Sequence, residues 1–165
     1  MKKISSTRVQ NQSGHGMKIL LAIDDSKFSE SAIELLVAQN DPGKTAVRVL
    51  HVVEPLETPY YPELGPPYPA SLGDISKIRL KAGRELVARV IENVRRAGFK
   101  ADGVLREGYA RTTVVDVAKQ WHAGLIVLGS HGRKGMERIL LGSVSDYVAR
   151  HAPCSVEIVR RRKRR

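Results

Sequence analysis

Apolar residues along this chain fall into two kinds of run. Short, nearly unbroken runs cover 18–24, 45–53 and 125–128, each bounded by charge, glycine or a turn. Runs of this length, rich in Val, Ile and Leu, predict strands buried on both faces of a parallel sheet. Weaker runs at 100–106 and 154–159 predict two more. Between the strands the apolar period lengthens to three or four. Ile33, Leu36 and Val37 mark a helix over 29–39, capped by Ser26 or Ser29 and stopped by Asn40-Asp-Pro-Gly43. Ile75, Ile78, Ala82, Leu86, Val90 and Val94 form the core-facing stripe of a long helix. Asp74 is its expected cap, and Arg95, Arg96 and Gly98 form its stop. Val114, Val117, Ala118 and Trp121 mark a helix over 113–122, opened by Thr113 and Asp116 in the manner of a capping box. A last helix over 143–150 ends before Pro153.

Strands alternating with helices imply one α/β domain. It is an open five-stranded parallel sheet, Rossmann-like, with helices on both faces and right-handed crossovers. A length of 165 residues suits that single domain, which buries roughly 70% of its unfolded surface. No apolar run approaches the roughly 20 residues that span a bilayer, and residues 1–16 lack the apolar stretch of a signal peptide. A cytoplasmic location is the expectation. Cys154 is the one cysteine, so no internal disulfide forms.

The net charge of +11 changes this picture less than its size suggests. Residues 160–165 carry +6 and residues 1–16 carry +3, leaving +2 for the body. The ends read as a flexible leader (1–16) and a solvated basic tail (160–165), around a domain spanning 17–159. Neither membrane nor nucleic acid is the expected partner. Residues 54–73 hold six prolines and three tyrosines and read as a long loop without regular structure.

Ligands of open parallel sheets bind beyond the carboxyl ends of the strands, where the strand order reverses. Asp24, Val52 and Gly129 all fall at predicted strand ends. The segment 125–145 then offers Gly129 and Gly132 in a turn, and Gly142-Ser143 at a helix start. Glycines admit close approach of backbone N–H groups, and a helix N-terminus favours negative charge. Arg133 and Lys134 add positive charge between them. Together these residues predict a phosphate cradle. The chain contains no G-x-x-x-x-G-K-[S/T], and no G-x-G-x-x-G follows its first strand, so neither a P-loop nor a dinucleotide fingerprint is present.

The residues Ile19-Leu-Leu-Ala-Ile-Asp24-Asp-Ser26, His51-Val52-Val53, and Gly129-Ser-His-Gly132 with Gly142-Ser143 resemble the universal stress protein family. The resemblance covers about 17–160. The spacing G-x2-G-x9-G-[S/T] is that of the family's ATP-binding branch. The resemblance implies the adenine nucleotide alpha hydrolase-like version of the fold, a homodimer through the last strand, and ATP, or ADP or AMP, in a cleft. Asp24 and the backbone of Val52 would hold the adenine or ribose end. Gly129, Gly132, Gly142, Ser143 and Val144 would hold ribose and phosphates, with Mg or Mn carried on the phosphates. The sequence departs from the family's usual residues at Ala110, Gly124 and Ser155, all outside the nucleotide motif.

Single residues have plainer readings too. Asp24 also suits a turn cap, and Ser143 suits either a phosphate ligand or an N-cap. His131 reads as a passive turn residue, while Cys154 and Trp121 read as core. The histidines show no metal-ligand spacing. Three functions follow. One is a nucleotide-dependent stress-response module with slow or no hydrolysis, since no base with a positioned nucleophile is legible. A second is an ATP-hydrolysing or adenylating enzyme of the same superfamily. The third is a polyanion-binding protein acting through the tail.

Overall fold

The computed structural model describes residues 16–56, 69–132 and 141–160. Five strands and four helices alternate: β1 (Met17–Ile23), α1 (Lys27–Gln39), β2 (Thr45–Val53), α2 (Pro69–Arg96), β3 (Lys100–Glu107), α3 (Ala110–Trp121), β4 (Leu125–Gly129), α4 (Ser143–His151) and β5 (Ser155–Val159). All strand pairs are parallel, in the order β3-β2-β1-β4-β5. The chain therefore leaves β1 towards one edge and returns to β4 on its other side. The switch point predicted from alternation alone lies between β1 and β4.

Side chains of the strands alternate between two cores, as the period of two requires. On one face, Ile19, Leu21 and Ile23 of β1 and Val47 and Val49 of β2 meet Leu36 of α1 and Leu86, Val90 and Val94 of α2. On the other, Leu20, Leu50, Ile126 and Leu128 meet Val114, Val117 and Ala118 of α3 and Val148 of α4. Burial on both faces explains why the central strands read as continuous apolar runs. α2 ends as expected: Gly98 takes φ +92, and the Phe99 N–H reaches back to the Val94 carbonyl at 3.3 Å.

Four local expectations need correction. First, α2 begins at Pro69 rather than at Asp74, so the last part of the expected 54–73 loop is helical. Proline is tolerated in the first helical turn, where its missing N–H has no partner to lose. Residues 57–68 of that loop lie outside the described residues. Second, Ile75, Ile78 and Ala82 are exposed, Ile78 at 66%. A helix of 28 residues is about 42 Å long, longer than its strands, and its buried stripe begins only near Gly83. Third, α3 opens at Ala110 with no side-chain cap from Tyr109. Glu54 accepts the Ala110 N–H instead, at 3.0 Å, in place of the Thr113–Asp116 box. Fourth, Trp121 packs against the second core as expected but is only half-buried, with the Arg48 guanidinium 4.7 Å and the Lys18 ammonium 5.6 Å from its ring centroid. Arg48 also forms a fork on the Asp102 carboxylate at 2.7 and 2.6 Å, and that pairing holds its pKa above the usual arginine value.

Candidate functional site

Asp24 follows the last residue of β1. Its backbone N–H donates to the Ser29 hydroxyl at 2.9 Å, and its Oδ1 accepts the hydroxyls of Ser29 (2.7 Å) and Ser26 (2.5 Å). Ser26 is the N-cap of α1, accepting the Ser29 N–H at 3.3 Å. Asp24 is thus a turn residue in the plain sense. Its other oxygen faces the neighbouring strand end: a Cβ added at Gly132 would lie 2.8 Å from Oδ2.

None of the three motif glycines uses a positive φ; among the described glycines only Gly98 and Gly108 do. Space is short at all three instead, most severely at Gly129. A Cβ on Gly129 would stand 2.7 Å from Phe28 Cβ and 2.9 Å from its carbonyl carbon, and one on Gly142 would stand 3.2 Å from the Ser130 carbonyl oxygen. Real Cβ contacts below 3.0 Å essentially do not occur. The glycines therefore let β4, the first turn of α1 and the start of α4 close on one another.

The β4 turn and α4 are joined directly. The Gly142 N–H donates to the Ser130 carbonyl at 2.8 Å, and the Ser130 N–H donates to the Val159 carbonyl of β5 at 2.8 Å. Gly142 is the N-cap of α4, with no side-chain hydrogen bond, and Ser143 is its first helical residue. This decides the expectation for Ser143: it does not cap the helix, and its exposed hydroxyl stands at the N-terminal rim. The amides of Ser143, Val144 and Ser145 have no carbonyl one turn back within the helix. The helix dipole makes this end partially positive.

Val52, half-buried at the end of β2, is separated from β4 by β1, so the strand ends run Val52, Asp24, Gly129 across the sheet. Of the expected site residues, Asp24, Gly129, Gly132 and Gly142 come together. Ser143 and Val144 flank them on α4, and Val52 lies one strand away. Arg133 and Lys134 lie outside the described residues. Beyond β2 and β3 a cavity of about 310 Å³ opens, lined by Val53, Glu54, Leu56, Ser76, Arg79 and Glu107.

Sequence reasoning missed Phe28, Ser130 and Ser145. Ser130 and Ser145 are buried, at 1% and 2% exposure. A serine following the strand-end glycine and another three residues after the cap glycine were the available signals. His131 lies beside the Ser130 hydroxyl at 3.1 Å and 5.2 Å from the Phe28 ring. Cys154 is half-buried just before β5, and burial raises its thiol pKa.

A parallel α/β sheet of order 3-2-1-4-5, with a glycine turn and a helix N-terminus meeting at its switch point, defines a class of doubly wound proteins with an anion-compatible strand end. Within that class, the family model described as Universal stress protein family matches residues 17–160. The chain belongs to the universal stress protein family. It is 30% identical to universal stress protein Sll1388 of Synechocystis over 152 residues, covering 88% of this chain and 98% of that protein. Universal stress protein UspA from Lactobacillus plantarum superposes with a TM-score of 0.75 at 24% identity, covering 90% of this chain and all of the other. A family member from Arabidopsis thaliana, solved with AMP bound, superposes at 0.60 and 15% identity over 88% of this chain and 92% of its own. The structural likenesses show the fold. Among the described residues no helix is long and apolar enough to cross a membrane.

Proposed function

We propose that this protein is an ATP-binding universal stress protein, holding an adenine nucleotide across the ends of β1, β2 and β4 as a regulatory ligand with slow or no hydrolysis. The observation that carries the reading is the bond from Gly142 N–H to the Ser130 carbonyl. It sets the N-terminus of α4 beside the β4 turn, so both can address one phosphate chain. The amides of Ser143 and Val144 would meet the phosphates, with Gly129 and Gly132 giving room beside them. Asp24 would take ribose hydroxyls on its Oδ2 side, and the Val52 backbone would meet the base. Other family members of known structure hold AMP, cyclic AMP and dAMP, which supports the adenine end of the reading.

A divalent ion would be carried by the phosphates. Among the described residues no three His, Cys, Asp or Glu side chains assemble as a metal cage. The expected measurement is an adenine nucleotide released on denaturing the purified protein, identified by mass spectrometry. Protein that purifies empty and gives no calorimetric heat with ATP, ADP or AMP would sink the proposal. β5 pairs with β4 on one side only, and its outer edge is the surface on which a second copy would add to the sheet. Light scattering at the monomer mass of 18.2 kDa, independent of concentration, would remove the dimer from the proposal.

A further inference from the structure

Ser145 contacts no ligand under this reading, yet it is 2% exposed and its hydroxyl reaches out of its own helix. Its Oγ donates to the Ser130 carbonyl at 2.9 Å, fifteen residues away, and lies 3.0 Å from the Gly142 carbonyl. The Ser130 carbonyl also receives the Gly142 N–H at 2.8 Å. We propose that Ser145 is a positioning residue for phosphate binding: its hydroxyl fills the second acceptor site of the Ser130 carbonyl and fixes the first turn of α4 against the β4 turn. The inference rests on the nucleotide-binding reading above.

Two physical consequences follow from that arrangement. A carbonyl oxygen has two lone-pair directions, and here Gly142 and Ser145 occupy both. With Ser145 in place, the Ser130 carbonyl turns no unpaired negative end towards an incoming anion. Without its hydroxyl, one acceptor direction of that buried carbonyl is left unfilled behind the α4 N-terminus, which adds negative potential beneath bound phosphates, and the penalty falls on charged ligands. The second consequence is geometric. Ser130 is itself held to β5 through its N–H on Val159. The tie therefore refers the α4 N-terminus to the rigid sheet, beyond the bond to its own backbone that a first-turn serine ordinarily makes and that Ser145 also makes to the Gly142 carbonyl at 3.0 Å. A phosphate-specific effect separates this role from simple core packing.

The test is calorimetric titration of ATP, AMP and adenosine into the full chain and into Ser145→Ala and Ser145→Cys. Cysteine is close to serine in size, but its thiol is a weak donor, so packing is kept while the tie is weakened. Loss of one hydrogen bond predicts about a fivefold or greater fall in ATP and AMP affinity for Ser145→Ala. Ser145→Cys should fall between it and the wild type, and adenosine affinity should stay within about twofold in both. Wild-type phosphate affinities in both variants, or an equal loss for adenosine, would overturn the proposal. Should Ser145→Ala fail to fold, the cysteine variant decides by the same two comparisons. A wild-type chain that binds neither ATP nor AMP overturns the nucleotide reading itself, a result visible before any variant is made.

Discussion

Two ends of the same sheet are built in opposite ways. At the switch point between β1 and β4, side chains have been removed: a methyl group on Gly129 would collide with Phe28, one on Gly132 would press on the Asp24 carboxylate, and one on Gly142 would crowd the Ser130 carbonyl. The backbone amides that open α4 stand there beside the Asp24 carboxylate. Two strands away, beyond β2 and β3, side chains have been added, and Glu54, Glu107, Arg79 and Ser76 surround a cavity with an apolar wall of Val53 and Leu56. Backbone amides at a helix start suit an anion, whereas two carboxylates against one guanidinium repel it. Under the nucleotide reading the polarity of the ligand follows: phosphates over β4 and α4, base towards β2.

Methyl groups at the glycines give the largest way to break this contrast, and they should act differently. Gly129 abuts Phe28 Cβ and backbone, which cannot step aside. Overpacking of that kind costs about 1–3 kcal/mol. Gly129→Ala should therefore lower the melting midpoint by several degrees, at about 2–4 °C per kcal/mol for a chain this size. Among the described residues, a Cβ on Gly132 would abut only the Asp24 carboxylate, 2.8 Å from Oδ2, at the end of a short side chain. Gly132→Ala should leave stability within about 1 kcal/mol but turn Asp24 from its place, cutting nucleotide affinity by about tenfold or more. Paired thermal melts and titrations check both. If Gly132→Ala proves the less stable variant, or binds ATP as the wild type does, the division between packing glycine and ligand glycine is wrong.

The sequence made this contrast legible at one end only. The glycine spacing and the apolar runs located the switch point, and β2 was placed at its observed bounds because Val47, Val49, Leu50, Val52 and Val53 leave little else for that stretch to be. What stayed hidden was non-local. The start of α3 was misplaced by three residues because its first amide is held by Glu54, 56 positions upstream. Ile75 and Ile78 repeat with perfect helical period, yet period reports the face of a helix and not whether a sheet lies beneath it. Ser130 and Ser145 carry no signal of burial in the sequence. Their partners are a carbonyl and a hydroxyl brought together only by folding. The cavity, too, draws its walls from β2, β3 and α2 and has no signature in any one segment.

Glu54 offers the finest adjustment, because it belongs to the side-chain end and also holds the start of α3. Its Oε1 takes the Ala110 N–H at 3.0 Å, so it supplies both an acceptor and a negative charge to a helix N-terminus that has no side-chain cap of its own. Glu54→Gln keeps an acceptor oxygen and removes the charge. At an exposed site the lost charge–dipole term is about 0.3–1 kcal/mol. Glu54→Ala removes the hydrogen bond as well and should cost about 1 kcal/mol, as loss of a cap does. Melts at low and high salt separate the two terms: the difference between Glu and Gln should shrink with salt, because surface charge is screened, while the further loss in Ala should not. Nucleotide titration of Glu54→Gln supplies the other half. With one carboxylate fewer beside the base end, ATP affinity should hold or rise slightly, and the ratio of ATP to adenosine affinity should stay near that of the wild type. A clear rise in that ratio would mean that phosphates reach the β2–β3 cavity and are relieved of repulsion there, and the two ends of the sheet would then share one ligand group instead of dividing it.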